Sequence, residues 1–136
     1  MLLNLPRLAS ELSKQFPEVL FAYVFGSAKT GEIRPGSDID VAVWILDPEM
    51  KMELIPKLVG LVESFTQGAL CDLVFLNDAG DQLAFEVLQG TILFIRDEAR
   101  DFHSGFYSET CRNYEDHIAW IKKQLQYRGY DVQWNH

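Results

Sequence analysis

Positive charge is what this 136-residue chain lacks most: 12 Lys and Arg stand against 20 Asp and Glu, a formal net charge of −8. Nucleic-acid backbones are gripped by clustered Lys and Arg, and no basic stripe exists here, which argues against a direct nucleic-acid substrate. Cysteine is scarce as well. Cys71 and Cys111 are too few for a disulfide framework and have no zinc-site spacing; Cys71, inside a predicted apolar strand, reads as a small hydrophobe. The longest apolar run, Val19–Phe25, is far too short to cross a bilayer, and no basic N-terminal region leads into it. The expectation is a cytoplasmic protein with no membrane contact. The three histidines (His103, His117 and His136) have no partner at metal-ligand spacing, so each reads as a surface or core residue. No internal repeat or low-complexity segment is present.

What is present is apolar mass: 48% hydrophobic residues with nine phenylalanines, enough for one globular domain with its own core. Asn4 can cap a helix with Pro6 in its first turn. Leu5, Leu8, Leu12 and Phe16 recur at helical spacing, and Pro17 stops the pattern. Val19–Phe25 is apolar on both faces, as a covered central strand requires, and Tyr23 within it reads as core. Val41–Leu46 is a second strand. Asp47-Pro48 reads as the cap and first residue of a helix reaching about Phe65, with Leu54, Leu58, Leu61 and Phe65 inward. Ala69–Leu76 is a third strand. Asn77 or Asp78 caps a helix whose inner residues are Leu83, Val87 and Leu88, and Gly90 closes it. Thr91–Ile95 is a short strand. From 97 to 128, Phe106, Thr110, Tyr114, Ile118, Ile121 and Leu125 make one stripe and predict a long helix. Tyr107, Trp120, Tyr127, Tyr130 and Trp134 lie partly off that stripe, as core cover or as a partner surface. Glu53, Glu63 and Glu86 read as solvated helix faces, and Asp78 and Asp81 as helix-start residues.

The chemistry concentrates in Phe25-Gly26-Ser27 and Ser37-Asp38-Ile39-Asp40. Side chains alternate along a strand, so Asp38 and Asp40 project together while Ile39, Val41, Val43 and Ile45 face a core. Two adjacent carboxylates repel by about 4 kcal/mol at ~4 Å and an effective dielectric of ~20. A hard divalent cation offsets that, and Mg²⁺ favours one or two carboxylates together with substrate phosphates. A glycine at a strand end lets the backbone approach a ligand, and its N–H groups, with the Ser27 hydroxyl, can cradle a phosphate. Ser27 could equally do no more than cap the turn. Asp72 is a lone charge in the apolar strand Leu70–Leu76. An unpaired buried carboxylate is costly there, so Asp72 is a candidate third ligand of a two-metal site. Lys29, Arg34 and Arg112 are candidate phosphate contacts.

Gly26-Ser27, then Ser37-Asp38-Ile39-Asp40, then Asp72 on a later strand together resemble the nucleotidyltransferase superfamily related to DNA polymerase β. The small size resembles its minimal, MNT-type branch, whose members are commonly antitoxins encoded beside HEPN-domain RNase toxins. The resemblance covers roughly residues 5–95. It departs where the chain has Ala28-Lys29-Thr30-Gly31, since the family often carries arginines there; Lys29 and Arg34 are the available substitutes. The resemblance implies an α/β fold, a small mixed β-sheet flanked by helices, with an added C-terminal helix over 97–128 on a single domain, 1–136. It implies catalytic and metal-binding roles for Asp38, Asp40 and Asp72, with two Mg²⁺ ions, and nucleotide contacts from Gly26, Ser27, Lys29 and Ser37. ATP is the expected substrate and a tyrosine of a cognate HEPN toxin the expected acceptor, in a hetero-oligomer with that toxin. Two other readings stand beside it: an antitoxin acting by binding alone, and a nucleotidyltransferase acting on a small molecule.

Overall fold

The computed structural model of the chain describes residues 1–129. Helix α1 (Leu5–Gln15) leads into strand β1 (Val19–Phe25), and β2 (Ile39–Ile45) follows. Then come helix α2 (Lys51–Ser64), β3 (Cys71–Phe75), α3 (Asp81–Leu88), β4 (Thr91–Ile95) and the 28-residue α4 (Arg100–Tyr127). The strands form one mixed sheet in the order β3-β2-β1-β4, with β2 and β3 parallel and the other pairs antiparallel. The parallel pair requires a crossover, and α2 supplies it.

Strand alternation divides the core in two. Ala22, Val24, Ile39, Val41, Val43 and Ile45 face α1 and α2, where Leu8, Leu12, Leu54, Leu58 and Val62 meet them. Phe21, Tyr23, Phe25, Ala42 and Trp44 face α3 and α4, meeting Ala84, Val87, Leu88 and Phe106. A sheet covered on both faces needs strands that are apolar throughout, which is why β1 shows no polar alternation. Asn4 caps α1 as expected, accepting from the Arg7 N–H at 3.1 Å.

Several boundaries differ from the sequence expectation. Asp47 and Pro48 open a 3₁₀ turn, Pro48–Met50, with Asp47 accepting from the Glu49 N–H at 3.0 Å, and α2 starts only at Lys51. The buried row of α2 continues by fours from Leu54 and Leu58 to Val62, which leaves Leu61 and Phe65 half-buried on its flank. Neither Asn77 nor Asp78 caps α3, which begins at Asp81 behind Gly80. The Asn77 amide turns to the end of β2 instead, accepting from the Ile45 N–H at 3.0 Å and donating to its carbonyl at 2.8 Å. It stands in for a strand neighbour where β3 has run out. Asp78 pairs with Lys51 at 2.7 Å. Glu63 is not a solvated face residue: it is half-buried and its Oε1 accepts from the Cys71 N–H at 2.9 Å. Gly90 does more than end a helix. A Cβ there would strike the Val24 carbonyl and the Phe25 backbone, so glycine lets α3 close down on the end of β1.

The N-terminal third of α4 is core cover, with Phe106 and Phe102 packed edge-on against Trp44. Further along, Phe85 of α3 stacks on Tyr114 at 3.8 Å between centroids. Trp120 (59%) and Tyr127 (90%) are exposed; Tyr130, Trp134 and His136 lie outside the described residues. Among the described residues no helix is long and apolar enough to cross a membrane.

Two buried polar devices hold this arrangement. Arg96 donates to the carbonyls of Val19 (2.6 Å), Ser13 (2.8 Å) and Phe16 (2.9 Å), tying the C-terminal end of α1 to β1 and β4. Ser13 lies in the last turn of α1, where carbonyls have no intrahelical partner, and a charged donor satisfies it. Arg96→Ala is expected to cost about 3 kcal/mol, from the loss of charge-assisted hydrogen bonds that join the end of α1 to β1. Urea unfolding should show this as a lower midpoint with an unchanged slope. The second device is the Tyr23 hydroxyl and His103 Nε2, 2.6 Å apart between β1 and α4. Burial, and then the neighbouring Tyr107, push the Tyr23 phenol up to about 12, while burial lowers His103. A histidine whose folded pKa lies below its unfolded value of about 6.5 stabilises the fold above that value and loses the contribution as pH falls through the folded pKa. The wild type should therefore lose stability on acidification below about pH 6.5, and a His103→Gln variant should show a smaller loss over the same interval in thermal melts.

Candidate active site

The site lies where β1 ends and β2 and β3 begin, on the face covered by α3 and α4. Register builds it. Asp40 of β2 pairs with Asp72 of β3, and Phe25, the last residue of β1, pairs with Asp40 on the other side. Register partners in adjacent strands project on one face about 4.8 Å apart, so the two carboxylates are neighbours by construction. Ile39, Val41, Cys71 and Leu73 point the opposite way into the α1/α2 core and anchor both strands beneath them. Asp38 stands exposed just ahead of β2. Among the described residues no three His, Cys, Asp or Glu side chains are already gathered around one point. The arrangement is a tight pair with Asp38 beside it.

Gly26 meets this pair directly. Its φ of +68° lies in the left-handed region, and a Cβ there would run into the Asp40 carboxylate. The chain then makes a 3₁₀ turn, Gly26–Ala28. Ser27 is exposed, and its side chain caps no turn. Lys29 is exposed at the end of the turn, where the Thr91 hydroxyl donates to its carbonyl and fastens the loop to β4. Ser37 is half-buried and closes a turn onto the Arg34 carbonyl at 3.1 Å. Arg34, Ser37 and Asp38 line a cleft of about 450 Å³ whose other wall is Gln67–Leu70. Arg112 stands exposed on α4, and nothing among the described residues ties it to the acids.

The electrostatics are those of a site short of positive charge. Burial, then the charges of Asp72, Asp38 and Glu86, raise the Asp40 carboxyl above its usual range, as does a shared hydrogen bond with Asp72 that needs a proton on one partner. Glu86, which the sequence offers only as a solvated helix residue, is therefore within reach of the acids. It also lines a cleft of about 520 Å³ with His117 of α4. Its spacing on α3 carries no hint of this, because the close approach at Gly90 is what brings that helix to the end of β1. Oxygen donors that repel one another suit a hard divalent ion such as Mg²⁺, and the exposed Asp38 and Asp72 are accessible to one.

The family model for polymerase beta-type nucleotidyltransferases matches residues 7–99, a span that takes in both the Gly-Ser turn and all three aspartates. The chain belongs to this nucleotidyltransferase family. Among curated proteins no sequence matches it. Solved structures do. A chain of the MntA–HpeT toxin–antitoxin structure carrying two Asp-to-Glu substitutions matches this nucleotidyltransferase at a TM-score of 0.63. The two are 26% identical, over 91% of this chain and 94% of that one. A toxin–antitoxin structure with AMP-PNP matches at 0.62 and 26% identity, over 91% and 94%. The complex of tri-AMPylated Shewanella oneidensis HEPN toxin with MNT antitoxin shares the fold, at 0.56 and 22% identity over 90% and 92%.

Because the Asp40 pKa is raised, its ionised form is worse in the folded state than in the unfolded one. That penalty is full above the folded pKa and vanishes as pH falls below 3.8. In metal-free buffer at pH 7, Asp40→Asn should therefore raise Tm rather than lower it. Millimolar Mg²⁺ should raise the wild-type Tm and leave that of the Asp40→Asn, Asp72→Asn double variant in place.

Proposed function

We propose that this nucleotidyltransferase is the antitoxin of a toxin–antitoxin pair and acts by transferring AMP from ATP to a tyrosine hydroxyl of a HEPN-domain RNase partner. The observation that carries the reading is the in-register Asp40–Asp72 pair beside a glycine that admits no side chain. The likeness to a toxin–antitoxin structure with AMP-PNP supports both the nucleotide and the setting.

In this reading Asp38 and Asp40 hold the metal-bound triphosphate, and Asp72 completes the ligand set on the acceptor side. Two bound Mg²⁺ ions supply charge neutralisation on the phosphates and a lower pKa for the attacking hydroxyl. The backbone N–H groups of the Gly26–Ala28 turn and the Ser27 hydroxyl hold the outer phosphates, with Lys29 and Ser37 at the rim. The tyrosine oxygen bonds to the α-phosphorus, the bond from that phosphorus to the oxygen bridging to the β-phosphate breaks, and pyrophosphate leaves. The phenolic proton passes to Asp72, the acid on the acceptor side. Placement and electrostatics do the chemistry, as phosphoryl transfer requires.

The exposed Trp120 and Tyr127 of α4 favour a second reading, in which the chain neutralises its partner by contact alone. One experiment separates the two. The chain is co-expressed with the product of the adjacent gene, and that partner's intact mass is read. Whole adenylate additions, reduced at least a hundredfold in the Asp38→Asn, Asp40→Asn variant, are expected. Neutralisation that persists in that variant with no mass change would establish binding alone.

A further inference from the structure

We infer that the open edge of β3 is a docking groove for an extended segment of the acceptor protein, taken up as an added strand beside Asp72. The groove is read from the sheet alone; the occupant's chemistry rests on the transferase reading above.

β3 is the last strand on its side of the sheet, and among the described residues no strand pairs with its outer edge. That edge forms the floor of a groove of about 500 Å³, with Ile55 and Val59 of α2 as one wall, Ala79 and Leu83 as the other, and the Lys51–Asp78 ion pair joining the two walls. A strand floor between two apolar walls is the geometry that strand addition uses: main-chain hydrogen bonds supply affinity and the walls sort alternate side chains. Within Cys71–Phe75 the strand has no Lys, no Pro and no bulge, and its protections sit at its two ends: Glu63 on the Cys71 amide and the Lys51–Asp78 pair beside Phe75. The opposite edge is different, since β4 slips register against β1 between Ala22 and Tyr23.

The ladder says which groups are free. The Ile39 N–H donates to the Leu70 carbonyl at 2.8 Å, and Ile39 is in register with Cys71. In a parallel pair each residue bonds to the two that flank its partner, so Leu70, Asp72 and Val74 turn their amides to β2 while Cys71 and Leu73 turn theirs outward. The outward Cys71 N–H is taken by Glu63. Leu73 is the open position between that plug and the end of the strand.

Parity then decides what the occupant presents. A residue opposite Asp72 on an added strand shares the face of Asp72 and Asp40, while its neighbours face Ile55 and Val59. The fitting segment is therefore extended, with apolar residues flanking one hydroxyl-bearing residue. Its hydroxyl would arrive on the acid face of the sheet. Charge argues against a second copy in this groove, because two chains of net charge −8 would set Asp72 beside its own counterpart.

Amide hydrogen exchange on the full chain tests this, with the product of the adjacent gene as probe. The Leu73 amide is expected to slow at least tenfold in the complex, while the Val74 amide, already in the ladder, changes little. Val59→Arg fills the groove from its helical wall without touching the strand. It should remove the Leu73 protection and weaken partner binding at least tenfold, with AMP-PNP binding in Mg²⁺ unchanged. Absence of protection in the wild-type complex overturns the proposal, whatever Val59→Arg does; so does protection that grows with this chain's own concentration, which would put a second copy in the groove. Protection without any mass gain on the partner keeps the groove and rejects the transferase reading; mass gain without protection does the reverse.

Discussion

Two like charges held side by side are the constraint on which the site depends. Left free, Asp40 and Asp72 would separate. They stay together because each sits on a strand whose opposite face is buried, Ile39 and Val41 on one and Cys71 and Leu73 on the other. A slip of one residue in either strand would turn its carboxylate into that core, so the register that buries the core also enforces the repulsion. The structure bears that cost where a cation can offset it. Gly26 completes the arrangement, since any side chain there would displace the Asp40 carboxylate.

A four-stranded sheet leaves many backbone groups at its margins, and this one closes them with side chains. Glu63 takes an outward amide of β3, Asn77 pairs with both groups of Ile45 past the end of β3, and Arg96 gathers three carbonyls where α1 meets the sheet. Each is a polar residue recruited because an orphaned backbone group out of water is expensive. The same logic leaves Leu73 conspicuous, as an edge position beside an acid without such a cover.

Elements with strong periodicity were legible from their residues. The strand at Val19–Phe25, the helix over 5–15 and the long helix from about 97 to 128 follow from apolar spacing, because burial of one face is a local pattern. Asn77 and Glu63 were not legible. Each has a side chain that suits a helix cap or a solvated face, and each is claimed by something distant in sequence: the end of β2 and the edge of β3. Glu86 is exposed as its spacing indicates, and the fold adds only its charge near Asp40. The inner row of α2 holds as read, with Leu61 and Phe65 half-buried against the core, but it lacked Val62, which only the sheet shows to be the fully buried member of that turn.

By itself the sequence determined the alternation that turns Asp40 away from Ile39 and Val41, the apolar strand that isolates Asp72, and the acidic balance that argues against a nucleic-acid substrate. These are properties of neighbours along the chain, and a period of two or of 3.6 suffices to read them. Tertiary structure alone decided that β3 lies parallel to β2 with Asp72 opposite Asp40, that α3 brings Glu86 within reach of them, and that β3 ends the sheet with an open edge. Strand order and register arise from how two helical layers fill the space on either side of the sheet, and no local pattern carries that volume.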